Sequence, residues 1–405
     1  MDGTREKELW CTTHGTGTRK RDPYGRHAES MYLVLRHKLA ANNVSQTLQN
    51  FKPFVDSLDT IYLLEASPML REKQHKLLCG DEPLQETENG YESRIKYPSK
   101  NRIVWYEDMS FIPATKEGHS PFIIAHEFFD ALPIHIFQSV PQQLRTQSTI
   151  TTSTTAPPRT QPPKNEWREL VVSVAAPDPN IILSPPSSLS TTTTTTTPQK
   201  ETPEFELSVS KGPTAHAASL PTLSPRYKAV LPIPHSTIEI SPLSLSLTSQ
   251  IAAFIGGSSS GKTTKASGAA LIVDYGNPST IPTHSLRGIR AHQLVSPLSA
   301  PGKVDISASV DFTALAHAAL AASPHVEVHG PASQAHWLRA MGGAERVNAL
   351  TRRGGDGKER IEGAWKRLVD AGPKGMGGLY HVMAIVPEGR MEQGGVVGFG
   401  GDVTV

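Results

Sequence analysis

The chain has 405 residues, of which 37% are hydrophobic and 19% charged, with 33 prolines and 32 glycines, so a sizeable part of it is not packed core. A formal net charge of +2 and a pI near 8.4 exclude the concentrated positive field by which polyanions such as nucleic acids are held. Two cysteines, Cys11 and Cys79, cannot build a disulfide framework or a multi-cysteine metal site, which suits a reducing compartment and gives no expectation of a metal.

Residues 1–27 are polar, with no apolar stretch for a secretory signal, and the early acids Asp2, Glu6 and Glu8 do not suit an acid-poor organellar presequence. No apolar run anywhere approaches the roughly 18–20 residues of a membrane-spanning helix. In "MYLVLRHKLAANNVSQTLQNF", Met31, Leu33, Val34, Leu35 and Leu39 fall at spacings one helical face could bury, which predicts a first helix from near Ser30. "TIYLLEAS", residues 60–67, reads as a short buried strand running into an acid, Glu65. The next stretch, "SPMLREKQHKLL", is a helix with Ser67 as N-cap, Pro68 at its first position and Glu72 four residues before Lys76.

"NRIVWYEDM" gives a second strand, ending in Glu107 and Asp108, and "PFIIAHEFFDALPIHIFQS" a third at Phe122 to Ala125, followed by a short acidic, aromatic turn. Strands separated by helices predict a parallel α/β sheet, whose ligands bind beyond the carboxyl ends of its strands. Between residues 141 and 203, Thr/Pro tracts flank one globular-looking piece, "WRELVVSVA". From residue 204 the ordered pattern resumes. "IEISPLSLSLTSQIAAFI" reads as a capped helix, "GAALIVDYG" as a buried strand and "DISASVDFTALAHAALAA" as a strand leading into a helix. "GPASQAHWLRAMGGAERVNAL" then reads as helical and "GLYHVMAIVP" as a strand. The expected divisions are 1–46, an atypical N-terminal segment; 47–140 and 204–390, the two parts of the principal domain; 141–203, low-complexity insertions around one strand; and 391–405, a glycine-rich tail.

One motif invites a different reading. Gly256-x-x-x-x-Gly261-Lys262-Thr263 fits the phosphate-cradling P-loop, which needs a strand entering the loop and a helix leaving it. Here a helix pattern precedes the glycines and the strand "AALIVDYG" follows, with no room before Asp274 for the intervening helix, so a connector is expected and nucleotide binding is the weakest alternative.

Two acidic features carry chemistry. An acid such as Glu65 at the end of a sheet strand can accept hydrogen bonds from ribose hydroxyls or pair with a basic neighbour such as Arg71. In "AHEFFDALP", Glu127 and Asp130 are three apart, so one turn after the strand sets both carboxylates at the mouth of the crevice, unless they only offset a helix dipole.

Four stretches together, "IYLLEASPMLREKQ" (61–74), "FIIAHEFFDALPIHIFQ" (122–138), "ALIVDYG" (270–276) and "SLRGIRAHQLVSPLSAPGKVDISASVDF" (285–312), resemble the MidA-like S-adenosylmethionine-dependent methyltransferases. "RYKAVLPI", "IEISP", "GPASQAHWL" and "GGLYHVMAI" agree in the same order. The resemblance implies a Rossmann-like class I methyltransferase sheet with family-specific additions. It further implies S-adenosyl-L-methionine as cofactor, symmetric dimethylation of protein arginine, a mitochondrial location, and a respiratory complex I subunit as protein partner. It assigns Glu65, Ser67, Asp108 and His126 to the cofactor, Glu127 and Asp130 to catalysis, and His292, Asp305 and Asp311 to the substrate entrance, where structural hydrogen bonding explains the last three equally well. A planar, always-charged guanidinium is oriented best by carboxylates, in keeping with the acidic pair.

The sequence departs from the family upstream of Glu65. No glycine occurs between Gly25 and Gly80, where a glycine-rich loop would follow the first strand. The first βα unit therefore reads as missing or replaced, and two expectations follow: an active family enzyme, or a noncatalytic assembly factor of the same fold.

Overall fold

The computed structural model describes residues 30–35, 57–96, 101–115, 118–142, 164–175, 204–259, 262–291, 293–352, 357–372, 375–389 and 395–399. They form two compact units, one of residues 1–132, 242–280 and 309–405, the other of 133–241 and 281–308.

The first unit is built on a nine-stranded sheet. Strands β1 (Ser30–Leu35), β2 (Leu58–Leu64), β5 (Arg102–Tyr106), β6 (Ser120–His126) and β13 (Ala269–Tyr275) run parallel in the order β5-β2-β1-β6-β13. This is the doubly wound order, in which the chain steps outward from β1 on one side and then returns to its other side. β18 (Tyr380–Pro387) is reversed against β13, and β17 (Val326–Ser333) is reversed against β18. At the opposite edge, β4 (Gly90–Arg94) and β3 (Gln85–Thr87) add an antiparallel hairpin beside β5.

Helix α1 (Pro68–Leu78) starts as expected: Ser67 caps it by accepting from Leu70 N, and Pro68 needs no intrahelical partner. Both faces of the sheet are covered. Tyr62, Val104, Ile123, Ala125, Ala270 and Ile272 point to one face, under Ile251 and Phe254 of a long helix (Pro242–Ile255) and Phe312 and Leu315 of another (Phe312–Ala322). Ile61, Leu63, Ile103 and Trp105 alternate to the other face, with Leu78 of α1. Strands buried on both sides read as continuous apolar runs, and each fully buried large side chain here contributes about 1.5–3 kcal/mol.

The structure departs from expectation in three places. Ser30–Leu35 is a strand at the centre of the sheet, so the first strand is present, whereas a helix was expected there. An unbroken "MYLVL" satisfies helical spacing and a doubly covered strand equally, and only the flanking partners decide. The residues after it, 36–56, lie outside those described. The second departure is "GPAS", which belongs to the end of β17 and not to a helix, and the third is "IEI", which closes a strand (Thr237–Ile240) ahead of a helix that starts only at Pro242.

The P-loop-like stretch is resolved by its geometry. The Pro242–Ile255 helix, which in chain order follows α2 (Ala215–Ser219) and α3 (Pro225–Val230) and is therefore α4, ends with Gly256 N donating to Ala252 O. Gly257 adopts φ 79°, the left-handed conformation of a helix-terminating glycine, where a Cβ would lie 2.1 Å from the Thr264 carbonyl oxygen. Ser258–Ser259 (β11) and Lys262–Thr263 (β12) then pair as an antiparallel ribbon. A helix enters and strands leave, the reverse of a phosphate loop.

The second unit is a four-stranded antiparallel sheet, β10 (Thr237–Ile240), β7 (His135–Pro141), β8 (Asn165–Val174) and β9 (Phe205–Val209), in that order. Phe137, Trp167, Ile238 and Ile240 form its core with Ala217 of α2 and Tyr227 of α3. A smaller sheet of β14 (Arg287–Arg290), β15 (Gln293–Val295) and β16 (Asp305–Ser307) completes the unit.

Candidate active site

The strand order of the first unit reverses around β1, and a doubly wound sheet takes its ligand beyond the carboxyl ends of the strands at that reversal. Glu65 after β2, Asp108 after β5, and His126 and Glu127 at the end of β6 all stand at this end. Glu65 is 7% exposed. Its backbone N–H donates to Tyr106 O, while Oε1 accepts from Ser67 N and Oε2 from the Gln74 amide, each at 2.9 Å. Gln74 is fixed in turn by the Trp105 indole N–H, 3.0 Å from its Oε1. Arg71, the basic neighbour, reaches Glu107 at 3.3 Å and lies 3.8 Å over the Tyr91 ring. Ser67 and Gln74 thus hold the Glu65 carboxylate, while Arg71 is engaged elsewhere. Asp108 caps a single 3-10 turn, Met109–Phe111, and hydrogen bonds from the Ser110 hydroxyl and N–H hold its carboxyl below the usual range.

The acidic turn after β6 is held from beneath by Asp274, near the end of β13. Asp274 is fully buried, and its Oδ2 accepts three successive backbone N–H groups, from Phe128 at 3.1 Å, Phe129 at 2.9 Å and Asp130 at 3.3 Å. Its Oδ1 accepts from Tyr275 N at 2.8 Å. Burial and the nearby Asp130 charge raise the Asp274 carboxyl well above the ordinary value, against the pull of those N–H groups. Phe129 anchors the turn in the sheet core. The nest thus fixes the backbone that carries both Glu127 and Asp130.

Glu127 itself adopts φ 49°, a left-handed conformation rarely taken by residues with a Cβ, and its N–H donates to Val273 O. Its Oε1 accepts from the Tyr380 hydroxyl at 2.6 Å. Tyr380 opens β18, is 1% exposed and is also hydrogen-bonded to the Tyr275 hydroxyl, with the two ring centroids 4.0 Å apart. Burial first, then the Glu127 and Tyr275 hydrogen bonds, push its phenol far above the usual tyrosine range. A neutral Tyr380 has one proton to give; Glu127 takes it, and the bond with Tyr275 is one in which Tyr380 accepts. His126 Nε2 lies 3.9 Å from Glu127 Oε1.

Six of the nine candidate residues, Glu65, Ser67, Asp108, His126, Glu127 and Asp130, therefore gather at one end of one sheet. Asp311 belongs to the same unit and caps the Phe312–Ala322 helix, α5, by accepting from Ala314 N at 3.1 Å. Asp305 begins β16 in the other unit. His292 lies outside the described residues. Sequence reasoning missed Asp274, Tyr275 and Tyr380 as parts of the site, although "LIVDYG" and "GLYHV" signalled them faintly: each is a strand whose apolar run meets a polar group at one end.

Residues 36–332 match the family described as "Putative S-adenosyl-L-methionine-dependent methyltransferase". The chain is 29% identical over 339 residues to the mouse (Mus musculus) "Protein arginine methyltransferase NDUFAF7, mitochondrial", covering 83% of this chain and 61% of that protein. It is 26% identical over 370 residues to the Drosophila melanogaster homologue, covering 89% of this chain and 68% of that one. The chain thus spans about three fifths of the length of the mouse relative. A crystal structure from Burkholderia thailandensis bound to S-adenosyl-homocysteine superposes with a TM-score of 0.55 at 17% identity, covering 89% of this chain and 71% of that one, so the fold is shared.

Proposed function

The chain belongs to this S-adenosyl-L-methionine-dependent methyltransferase family, and from that membership we propose that it methylates a guanidinium nitrogen of arginine in a protein substrate, giving symmetric dimethylarginine. The observation that carries the reading is the Glu127 carboxylate, fixed by the buried Tyr380 hydroxyl at the carboxyl end of β6. A guanidinium keeps its charge at any physiological pH and is best oriented by preset carboxylates. Glu127 and Asp130 would hold and align the arginine, and a carboxylate there would take the proton that the nitrogen sheds on methylation.

The donor set fits the cofactor. Ser67 N and the Gln74 amide hold the Glu65 carboxylate at the end of the second strand, where it would accept hydrogen bonds from the vicinal ribose hydroxyls. Asp108, at the end of the next strand, and His126 would complete that side of the crevice. The cofactor supplies an electrophilic methyl group on a sulfonium. Relatives named mitochondrial arginine methyltransferases support a mitochondrial site of action, and the proposal extends to a respiratory complex I subunit as the substrate, with the whole protein as an assembly factor.

One observation favours a second reading, a noncatalytic assembly factor of the same fold: residues 26–79 contain no glycine with which to approach the cofactor. Calorimetry with S-adenosyl-L-methionine separates the two. The enzyme reading expects binding, and methyl label appearing as symmetric dimethylarginine in a complex I subunit. Glu127→Gln should lower that turnover about a hundredfold, within the usual range for a proton-accepting group, with cofactor affinity unchanged. A folded chain that binds nothing at millimolar cofactor is the noncatalytic factor.

A further inference from the structure

Three side chains far apart in sequence converge in the second unit. Glu169 on β8 lies directly opposite Phe137 on β7, so His135, two residues before Phe137, shares its face of the sheet. Helix α2 packs on that same face through Ala217, which brings in His216. His135 Nδ1 is 2.6 Å and His216 Nδ1 3.8 Å from the same oxygen, Glu169 Oε1, and the imidazole centroids are 4.2 Å apart. The three donor atoms all lie within 4.8 Å of one another.

From this convergence we infer a binding site for one divalent transition-metal ion of the zinc type, with His135, Glu169 and His216 as its protein ligands. Two imidazoles and a carboxylate are a donor set that zinc accepts, leaving a position for water. Ligand bonds of about 2.0–2.2 Å in a tetrahedron set donors roughly 3.4 Å apart. The two separations from Glu169 Oε1, 2.6 and 3.8 Å, bracket that spacing, so side-chain rotation suffices.

The surroundings prepare the carboxylate. Thr214 Oγ1 accepts from Ala217 N at 3.0 Å, which leaves its proton for Glu169, to which it is hydrogen-bonded. An outer partner of this kind orients a metal-binding carboxylate and keeps it ionised. Glu169 is nearly buried whereas the His216 side chain is 56% exposed, so the ion would enter from the α2 side. A bound ion would tie α2 to the paired strands β7 and β8, adding to the apolar packing of Ala217 near Phe137 and Trp167. This role is independent of methyl transfer.

The test is titration of the full, untagged chain with Zn²⁺ alone. One ion per chain should bind, and the unfolding temperature should rise with it. His216→Ala, at an exposed position that leaves the core intact, should weaken Zn²⁺ more than about tenfold, since even the loss of an outer partner costs that much. It should also abolish the thermal shift, and Glu169→Gln should do the same. Co²⁺ should give visible d–d absorption in the parent chain that is lost in both variants. A chain that takes up no Zn²⁺, or a His216→Ala variant that binds it as tightly as the parent, overturns the site.

Discussion

Tyr380 shows how one residue can govern another's chemistry. Its phenol, 2.6 Å from Glu127 Oε1, fixes the carboxylate that the proposed reaction needs. Tyr380→Phe keeps the ring packed on Tyr275 and removes only the hydroxyl. It should lower methyl transfer about tenfold, while circular dichroism and cofactor affinity stay those of the parent, because one positioning hydrogen bond is worth about 0.5–1.5 kcal/mol. Asp274 yields a prediction about stability. Its carboxyl is raised above the ordinary 3.8, chiefly by burial. The contribution tied to that shift is complete below pH 3.8 and fades as pH rises through the raised value. Relative to Asp274→Asn, the parent should therefore lose stability as pH climbs above about 4, as read by urea unfolding over a pH series. Asp274→Ala should cost more than about 3 kcal/mol below pH 4, because the buried Phe129 N–H and the part-buried N–H groups of Phe128, Asp130 and Tyr275 lose their acceptor together.

Among the elements, legibility in the sequence followed how cleanly burial repeats. β2, α1, β5, β6 and β13 were readable because apolar runs ended on caps, acids or glycines, and α4 only in part, since the "IEI" expected to open it belongs to β10. β17 was missed as a strand. Its "VEVHG" carries Glu327 and a fully buried His329, bonded to each other at 2.9 Å, so the pair is satisfied in the fold yet breaks the apolar pattern. The hairpin β3–β4 was missed because its strands, "QET" and "GYESR", are mostly polar and carry no apolar run. Of the candidate site, the acidic turn was legible because Glu127 and Asp130 are neighbours. The Tyr380 partner was not, being 253 residues from Glu127. The ribbon β11–β12 makes a negative prediction: Lys262→Ala should leave methyl transfer unchanged in a label-incorporation assay, and no ATP hydrolysis should be seen. A large loss of transfer would return that segment to the mechanism.

At the scale of the whole molecule, one long insertion shapes how the sheet is completed. Among the described residues, α1 and the β3–β4 hairpin separate β2 from β5 and a single 3-10 turn separates β5 from β6, after which residues 133–241 build a separate antiparallel unit before α4 and β13 resume the first. A sequence reading could mark the change of composition after residue 141, but antiparallel pairing among β7, β8, β9 and β10 depends on contacts that span the low-complexity stretch. The consequence is kinetic. β6 pairs with β13 across residues 127–268, so on the ribosome its edge waits roughly 7–30 s for a partner, at about 5–20 residues per second. During that interval Phe122, Ile123, Ile124 and Ala125 present an unpaired apolar strand edge. A chaperone that shields this edge until β13 emerges would raise the yield of folded protein more than one acting on any later segment.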